Sequence, residues 1–237
     1  MITTNKHQER NELLKAFFYP LIFVLILWMI KAIELIFHFP LTGAGIIPRN
    51  LAHLPSILSM PLLHADIAHL FSNSGPLFIL SGFIFYFYRE IAWKVIVWIY
   101  GLSGLWLWIG GRDALHIGAS GLVYGFAAFL FFGGIFKRST TLMTVSLVII
   151  FLYGSMVWGF FPEFFPEKNI SWEGHLFGFI AGILMAVYYR NEGPKAKEYH
   201  WEDDDDTEDE NAYWVSDNSA DKTMLDKDAH PTHFKRG

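Results

Sequence analysis

Ser120 and His175 are the two residues whose types and settings best suit nucleophilic chemistry. Ser120 stands in the run GASG (118–121) and His175 in GHLFG (174–178), and each begins an apolar stretch long enough to cross a bilayer. A serine hydroxyl becomes a nucleophile when a base within about 2.6–3.2 Å accepts its proton, and a neutral imidazole suits that task near pH 7. Because ionisable groups in hydrocarbon are costly, one found there is a functional hypothesis by default. The two residues therefore predict a Ser-His dyad inside a membrane.

The helical periodicity around each of these residues predicts two faces that meet. Residues four apart lie on one face of a helix, so Tyr124 shares a side with Ser120 and can stack on the His175 ring. Glu173 points to roughly the opposite side from His175, so no carboxylate is evident as a third member. Small residues at four-residue spacing let membrane helices approach closely. They are Gly121 and Gly125 in the first segment and Gly178, Gly182 and Ala186 in the second.

A segment with two histidines and an asparagine supplies candidate donors for a developing oxyanion, which acyl transfer requires. His69 and Asn73 are four apart and share a helix face. His64 stands just before that helix, where it can lean over the same cavity. The backbone N–H of Ser120, at the start of a helix, is a further donor. We expect these groups to converge on one negative charge.

The composition is that of an integral membrane protein. Of the 237 residues, 53% are hydrophobic, and the mean hydropathy is +0.30. The chain has no cysteine, which excludes disulfides, thiolate metal sites and a cysteine nucleophile. We predict no metal or other cofactor, and nothing in the charge pattern suggests nucleic acid as a partner. The lipid bilayer is the predicted surrounding.

Six apolar segments approach the length of about 20 residues that a membrane-spanning helix needs. Lys and Arg are concentrated in the termini and in alternate connections, ten against three, so the positive-inside rule places both termini in the cytoplasm. The connection from about 38 to 68 is longer than the others and is expected to fold on or partly into the outer leaflet. The sequence thus predicts an all-α, six-transmembrane-helix bundle. The spans are roughly 17–37, 69–88, 91–110, 118–136, 139–158 and 173–190.

Three regions follow from this pattern. Residues 1–16 form a cytoplasmic N-terminal segment, residues 17–190 the six-helix domain, and residues 191–237 an acidic tail. Residues 202–210 (EDDDDTEDE) alone carry eight acidic side chains. The tail has too little apolar surface to fold alone and is predicted to be a disordered cytoplasmic segment.

At these residues the sequence resembles the rhomboid family of intramembrane serine proteases. The resemblance covers about residues 17 to 190 and rests on three motifs in order on the expected spans. Two features depart from the family pattern: Gly174 stands where alanine is common, and Pro48-Arg49 replaces the Trp-Arg pair of many first loops. The matching residues are Gly118, Ala119, Ser120 and Gly121 for GxSG, His69 and Asn73 for HxxxN, and His175, Gly178, Gly182 and Ala186 for HxxGxxxGxxxA.

The resemblance implies a serine endopeptidase that cuts single-span membrane proteins in or near their transmembrane segment through an acyl-enzyme. It assigns Ser120 as nucleophile, His175 as general base and Tyr124 as the residue stacked on the histidine. His64, Asn73 and the Ser120 amide would line the oxyanion hole, and His69 would give structural support. The charge asymmetry favours a bacterial cytoplasmic (inner) membrane. The sequence leaves the client protein and the oligomeric state open.

Other interpretations stay open at this point. A membrane serine is commonly bonded to the carbonyl one turn back, and small-xxx-small spacing is commonly ordinary helix packing. A non-proteolytic rhomboid-like protein that binds or unfolds membrane clients is the first alternative, and a six-span transporter is the second. Lys31 and Glu34, three apart in the first span, predict a local ion pair near its outer end without a catalytic role.

Overall fold

The structure is a computed structural model that describes residues 2–152 and 171–193, and this part of the chain is built from helices. The described part belongs to one compact unit, Met1–Ala196. The second unit, Lys197–Gly237, lies outside the described residues, as does nearly all of the predicted acidic tail. The described residues contain seven α-helices, namely α1 Ile2–Phe37, α2 Ser56–Ser59, α3 Ile67–Phe87, α4 Ala92–Gly110, α5 Ser120–Phe136, α6 Thr140–Leu152 and α7 Trp172–Tyr188.

Six of these helices match the six predicted apolar segments to within a few residues, apart from the start of α1. That helix begins at Ile2 because the polar residues before position 17 are mostly good helix formers. Three helices, namely α1 from Arg10, α3 and α4, are long and apolar enough to cross a membrane. Helices α5 and α7 have 17 residues each, about 25 Å, slightly less than the roughly 30 Å hydrocarbon core. Residues 153–158 of the predicted fifth span lie outside the described residues. The count of six spans and the cytoplasmic termini stay predictions.

Helix α5 lies at the centre of the bundle. All of its residues from Gly121 to Leu130 are buried, and it packs against α3, α4, α6 and α7. Helix α1 is different, because Leu14, Phe18 and Ile36 are each more than half exposed. A helix that is apolar on its outward side suits lipid contact. The fold therefore buries the segment that Ser120 begins and leaves α1 on the periphery.

Helices α5 and α7 touch backbone to backbone. A Cβ atom placed on Gly178 would lie 1.9 Å from the carbonyl oxygen of Gly121, and one on Gly182 would lie 2.1 Å from that of Gly125. Both distances are far inside van der Waals contact, so only glycine fits at these two positions of α7. The two rows of small residues seen in the sequence thus face each other and hold the N-terminal turns of the two helices together.

The long connection between α1 and α3 packs onto the end of α4 and the turn before α5. It contains α2 and the 3-10 turns Leu41–Ala44, Leu51–His53 and Met60–Leu62. Ile46 and His116 exchange two main-chain hydrogen bonds of 2.9 and 2.8 Å. Arg49, with a φ of 60°, donates to the carbonyl of Gly111 at 2.6 Å and so covers the C-terminal end of α4. The connection is held mostly through main-chain groups.

Candidate active site

Ser120 and His175 meet at the start of two touching helices. Ser120 is the first residue of α5 and His175 lies in the first turn of α7. A hydrogen bond of 2.9 Å joins Ser120 Oγ to His175 Nε2. The imidazole is 7% exposed, and the serine is partly exposed. This is the geometry in which an imidazole can take the proton of a serine hydroxyl.

Tyr124 lies one turn after Ser120 and covers the face of the imidazole. The Tyr124 and His175 rings are stacked, with centroids 4.3 Å apart and an interplanar angle of 13°. Because a stacked ring restricts rotation of the imidazole, the contact fixes the direction in which Nε2 points. The structure thus places both Ser120 and Tyr124 in contact with His175, as the helical spacing predicts.

The turn that presents Ser120 depends on Gly118. Its φ is +110°, a conformation that side-chain-bearing residues rarely adopt, and a Cβ there would lie 2.8 Å from Cε1 of His69. Its N–H donates to the carbonyl of Met60 at 3.0 Å. The His69 ring therefore packs directly on the residue two positions before the serine. This agrees with a supporting position for His69.

His64 lies on the other side of the same turn. Its side chain is 2% exposed, its ring centroid is 5.1 Å from that of His69, and the Ala119 N–H approaches its Nε2 at 3.5 Å. Nδ1 is buried near the Leu62 backbone but makes no hydrogen bond of normal geometry with the described residues. Burial is the main cause that lowers the pKa of His64 to about 3, so the ring is neutral at physiological pH.

Asn73 is buried one helical turn after His69. It is 6% exposed, and its Nδ2 group has no hydrogen-bond partner among the described residues. Within the same residues, no hydrogen bond or ring contact joins Asn73 to the dyad. A buried unpaired N–H is costly, roughly 1–3 kcal/mol, and a native protein that keeps one has a free donor available to a bound group.

A small cavity opens beside Ser120. It has room for about one water molecule and is lined by both helix starts and by residues of the first connection and α4. Its lining also includes Ser103, Ser171 and Gly174. The arrangement leaves space at the serine for a reacting group or for water.

A second Ser-His pair, which the sequence analysis missed, lies next to the dyad. His116 Nδ1 and Ser171 Oγ are 2.7 Å apart, and burial lowers the pKa of His116. Each residue stands four positions before a dyad member, Ser171 before His175 and His116 before Ser120, and this mirrored spacing is the signal that was available in the sequence. The pair joins the segments that lead into α5 and α7.

Glu173 is buried rather than free on the outer side of α7. It is 4% exposed and forms an ion pair of 3.6 Å with Arg112, which lies in the turn after α4. The sequence analysis placed Glu173 away from His175 but did not foresee this partner. The ion pair adds a second polar link between α7 and the segment before α5.

Comparison with known proteins finds one matching family model and several relatives. The profile of the Rhomboid domain matches residues 51–192, which include Ser120 and His175. An uncharacterized protein of Mycobacterium tuberculosis is 36% identical over 174 residues, which cover 70% of this chain and 72% of that protein. One of Mycobacterium leprae is 34% identical over 174 residues, covering 70% and 68%. A Bacillus subtilis protein named "Putative rhomboid protease YdcA" is 29% identical over 130 residues, covering 53% and 62%.

Proposed function

This chain belongs to the rhomboid family of integral membrane proteins, as its motifs predicted, and we propose that it is an intramembrane serine endopeptidase. The observation that carries the proposal is the hydrogen bond of 2.9 Å between Ser120 and His175, held under the Tyr124 ring. A hydrogen bond also joins His116 and Ser171, so a Ser-His bond alone does not mark catalysis. The Ser120–His175 pair differs because its imidazole is stacked on Tyr124 and both residues stand in the motifs of the family. This setting favours an enzyme over a non-proteolytic relative or a transporter.

In the proposed mechanism His175 acts first as base and then as acid. Its Nε2 takes the proton of Ser120 as Oγ attacks the scissile carbonyl and the C=O bond becomes a C–O⁻ single bond. Collapse of this intermediate breaks the C–N bond, and the imidazolium returns the proton to the leaving amine. Water then attacks the acyl-enzyme with His175 again as base, which releases the carboxylic acid and restores Ser120.

The oxyanion would be stabilised by His64, Asn73 and the Ser120 amide. Support comes from the buried Nδ2 of Asn73, which lacks a partner among the described residues, and from the neutral state of His64. A neutral imidazole carries one N–H that can be donated. Removing one donor of this kind typically slows acyl transfer about 10²- to 10³-fold. His69 acts at a distance from the charge, by packing against Gly118.

The proposed substrates are single-span membrane proteins cut in or next to their transmembrane helix, at small residues. The site lies at one end of α5 and α7, which suits a cut near a membrane boundary where water can enter. The mechanism uses side chains and water and requires neither metal nor nucleic acid. A bacterial inner membrane with the active site toward the outer face is the proposed location.

The test is cleavage by the full-length chain reconstituted in lipid with a single-span substrate that carries small residues near its outer boundary. Wild type should give a new fragment by mass spectrometry and should be acylated at Ser120 by a serine-directed acylating probe. Ser120→Ala and His175→Ala should each lose at least about 10³-fold in rate while remaining folded. Ser146→Ala is the matched control, because Ser146 is buried in α6 and bonded to the Leu142 carbonyl at 3.0 Å.

Two results would overturn the proposal. One is full cleavage by Ser120→Ala, and the other is probe labelling at a different residue. If wild type gives neither fragment nor label, a client-binding protein becomes the better interpretation. Solute flux into liposomes that Ser120→Ala leaves unchanged would instead favour a transporter.

A further inference from the structure

Lys31 is a buried cation in α1 that reaches out of its own helix. The residue is 6% exposed, near the end of α1 that leads into the long connection. An ammonium group inside a membrane bundle is costly unless its donors are bonded, and such residues commonly have a function. Nζ makes three hydrogen bonds, to Glu34 Oε2 at 3.1 Å and to the carbonyls of His64 and Ala65 at 3.0 Å each. All three N–H donors are thus used.

The two carbonyl bonds fall on a segment that has few other means of support. Residues 63–66 connect the 3-10 turn Met60–Leu62 to α3 and have no helical structure. On the α3 side, Asp66 caps the helix by accepting from the His69 N–H at 2.7 Å. On the other side Lys31 is the bond donor, 33 residues away in sequence from His64. The backbone of His64 is therefore fixed from α1.

We propose that Lys31 is a positioning residue that holds His64 in place for stabilisation of the oxyanion. The inference rests on the proposed function, since it gives the anchored histidine a role in the transition state. A donor displaced by about 1 Å can lose much of its catalytic effect, up to about a hundredfold in rate. By bonding the carbonyls of two successive peptide units, 64–65 and 65–66, Lys31 fixes the position of the imidazole relative to the 118–120 turn. Its charge also adds a positive field beside His64, which favours a developing anion.

The ion pair of Lys31 with Glu34 is the local contact that the sequence predicts. It is separate from the two bonds that Lys31 makes to the connection. Glu34 and Lys31 are three residues apart on one helix, so their bond does not restrain the connection. Glu34→Gln keeps an oxygen acceptor for Nζ and leaves the two carbonyl bonds in place. Lys31→Met removes all three bonds with little change of side-chain length. Comparing the two variants separates the restraint on His64 from the ion pair.

The first measurement is hydrogen–deuterium exchange of the full-length protein in lipid. Lys31→Met should speed exchange of amides in residues 63–66 by about tenfold or more, because the segment loses its bonds to α1. Glu34→Gln should change that exchange by less than about threefold. Lys15→Met is the matched control on the same helix, because Lys15 is exposed and pairs with Glu12 away from the site. This readout does not depend on whether the protein is a protease.

The second measurement is a double-mutant cycle on the rate of Ser120 acylation by a serine-directed acylating probe. Lys31→Met should slow acylation about tenfold in the wild-type background. In a His64→Ala background, where the imidazole is already absent, it should slow acylation by less than about twofold. Lys15→Met should have no effect in either background. A merely structural lysine would instead slow both backgrounds equally, through loss of folded protein.

Each result of these two measurements tests a different part of the inference. Unchanged exchange in residues 63–66 of Lys31→Met would overturn the anchoring, even if the protein is a protease. Faster exchange with equal slowing in both backgrounds would overturn the positioning of His64. Wild type that is not acylated at Ser120 would overturn the proposed function and the catalytic part of this inference together, while exchange would still decide whether Lys31 anchors the segment.

Discussion

The two sides of the candidate site are held in different ways. On the dyad side, Ser120 and His175 are brought together by helices α5 and α7, whose backbones touch at Gly121 and Gly178. On the proposed oxyanion side, His64 is held by the bonds of Lys31 to main-chain carbonyls, and Asn73 keeps a buried Nδ2 group without a partner among the described residues. The dyad side depends on close packing that leaves no spare volume. The oxyanion side depends on polar groups, some of which are left free.

Stability and activity are therefore expected to be coupled on the dyad side and separable on the other side. Helices packed at van der Waals contact cannot accommodate an added atom. A larger residue at this contact should therefore lower both the free energy of unfolding and the activity. An unpaired buried donor stabilises nothing in the resting protein, so its removal should affect activity alone. Substitutions on the two sides should therefore differ in whether they lower stability as well as activity.

Gly178→Ala should cause the largest combined loss. The added Cβ would lie 1.9 Å from the Gly121 carbonyl oxygen and push α7 away from α5. We expect a loss of roughly 3 kcal/mol in unfolding free energy and loss of Ser120 acylation, measured by unfolding in detergent and by probe labelling. Gly101→Ala is the control, since a Cβ at that helical glycine meets nothing within 4 Å. It should keep full activity and gain about 0.5–1 kcal/mol. A stable, active Gly178→Ala would contradict the role of this contact.

Asn73→Leu should separate activity from stability. The substitution keeps the volume and removes the unpaired Nδ2, so unfolding free energy should stay within about 1 kcal/mol of wild type. Acylation of Ser120 should slow about a hundredfold, because one oxyanion donor is lost. Ser81→Ala is the control on the same helix, since Ser81 is buried and bonded to the Leu77 carbonyl. A loss of several kcal/mol with Asn73→Leu would mean that the amide supports the fold.

Acid should destabilise the oxyanion side through His64. Its pKa is about 3 in the folded protein against 6.5 for an ordinary histidine, so between these values the unfolded chain binds a proton that the native state does not. The contribution that neutral His64 makes to the free energy of unfolding is therefore fully present above about pH 6.5, and it is lost as the pH falls toward 3. From pH 7 to pH 5 the loss should be about 2 kcal/mol.

The measurement is the pH dependence of unfolding in detergent for wild type and His64→Leu. The variant should lose most of this 2 kcal/mol acid sensitivity whatever its absolute stability. His38→Asn is the control, because His38 is exposed and its φ of 51° suits asparagine. Equal pH dependence in wild type and His64→Leu would show that other groups cause the acid sensitivity.

Contacts within one helix or between two periodic helices could be predicted from the sequence. The stack of Tyr124 on His175 and the facing glycines follow from four-residue spacing, because a helix fixes which side chains share a face. The Lys31–Glu34 ion pair was predicted for the same reason and is confirmed. The bounds of most helices followed from the length of the apolar runs.

Contacts that involve the connecting segments could not be predicted in this way. The bonds of Lys31 to the 64–65 carbonyls and the Arg112–Glu173 ion pair each join a helix to an irregular segment, and the His116–Ser171 pair joins two irregular segments. Irregular backbone has no period, so its side-chain directions depend on the tertiary structure. Glu173 illustrates this, since helical spacing predicts only its direction relative to His175 and could not supply Arg112 as its partner.

The pairing of Ile46 with His116 has a consequence for how freely the sequence of the long connection can vary. Two main-chain hydrogen bonds dock that connection beside the nucleophile turn, and Gly118 adds a third to Met60. Amide and carbonyl groups are common to nearly all residue types, so these bonds constrain the length and backbone path of the connection more than its exposed side chains. Substitutions at exposed positions such as Leu51 and Leu58 could therefore keep the docking geometry while presenting a new outer surface, whereas His64 and the buried Ile46 and Met60 have to stay.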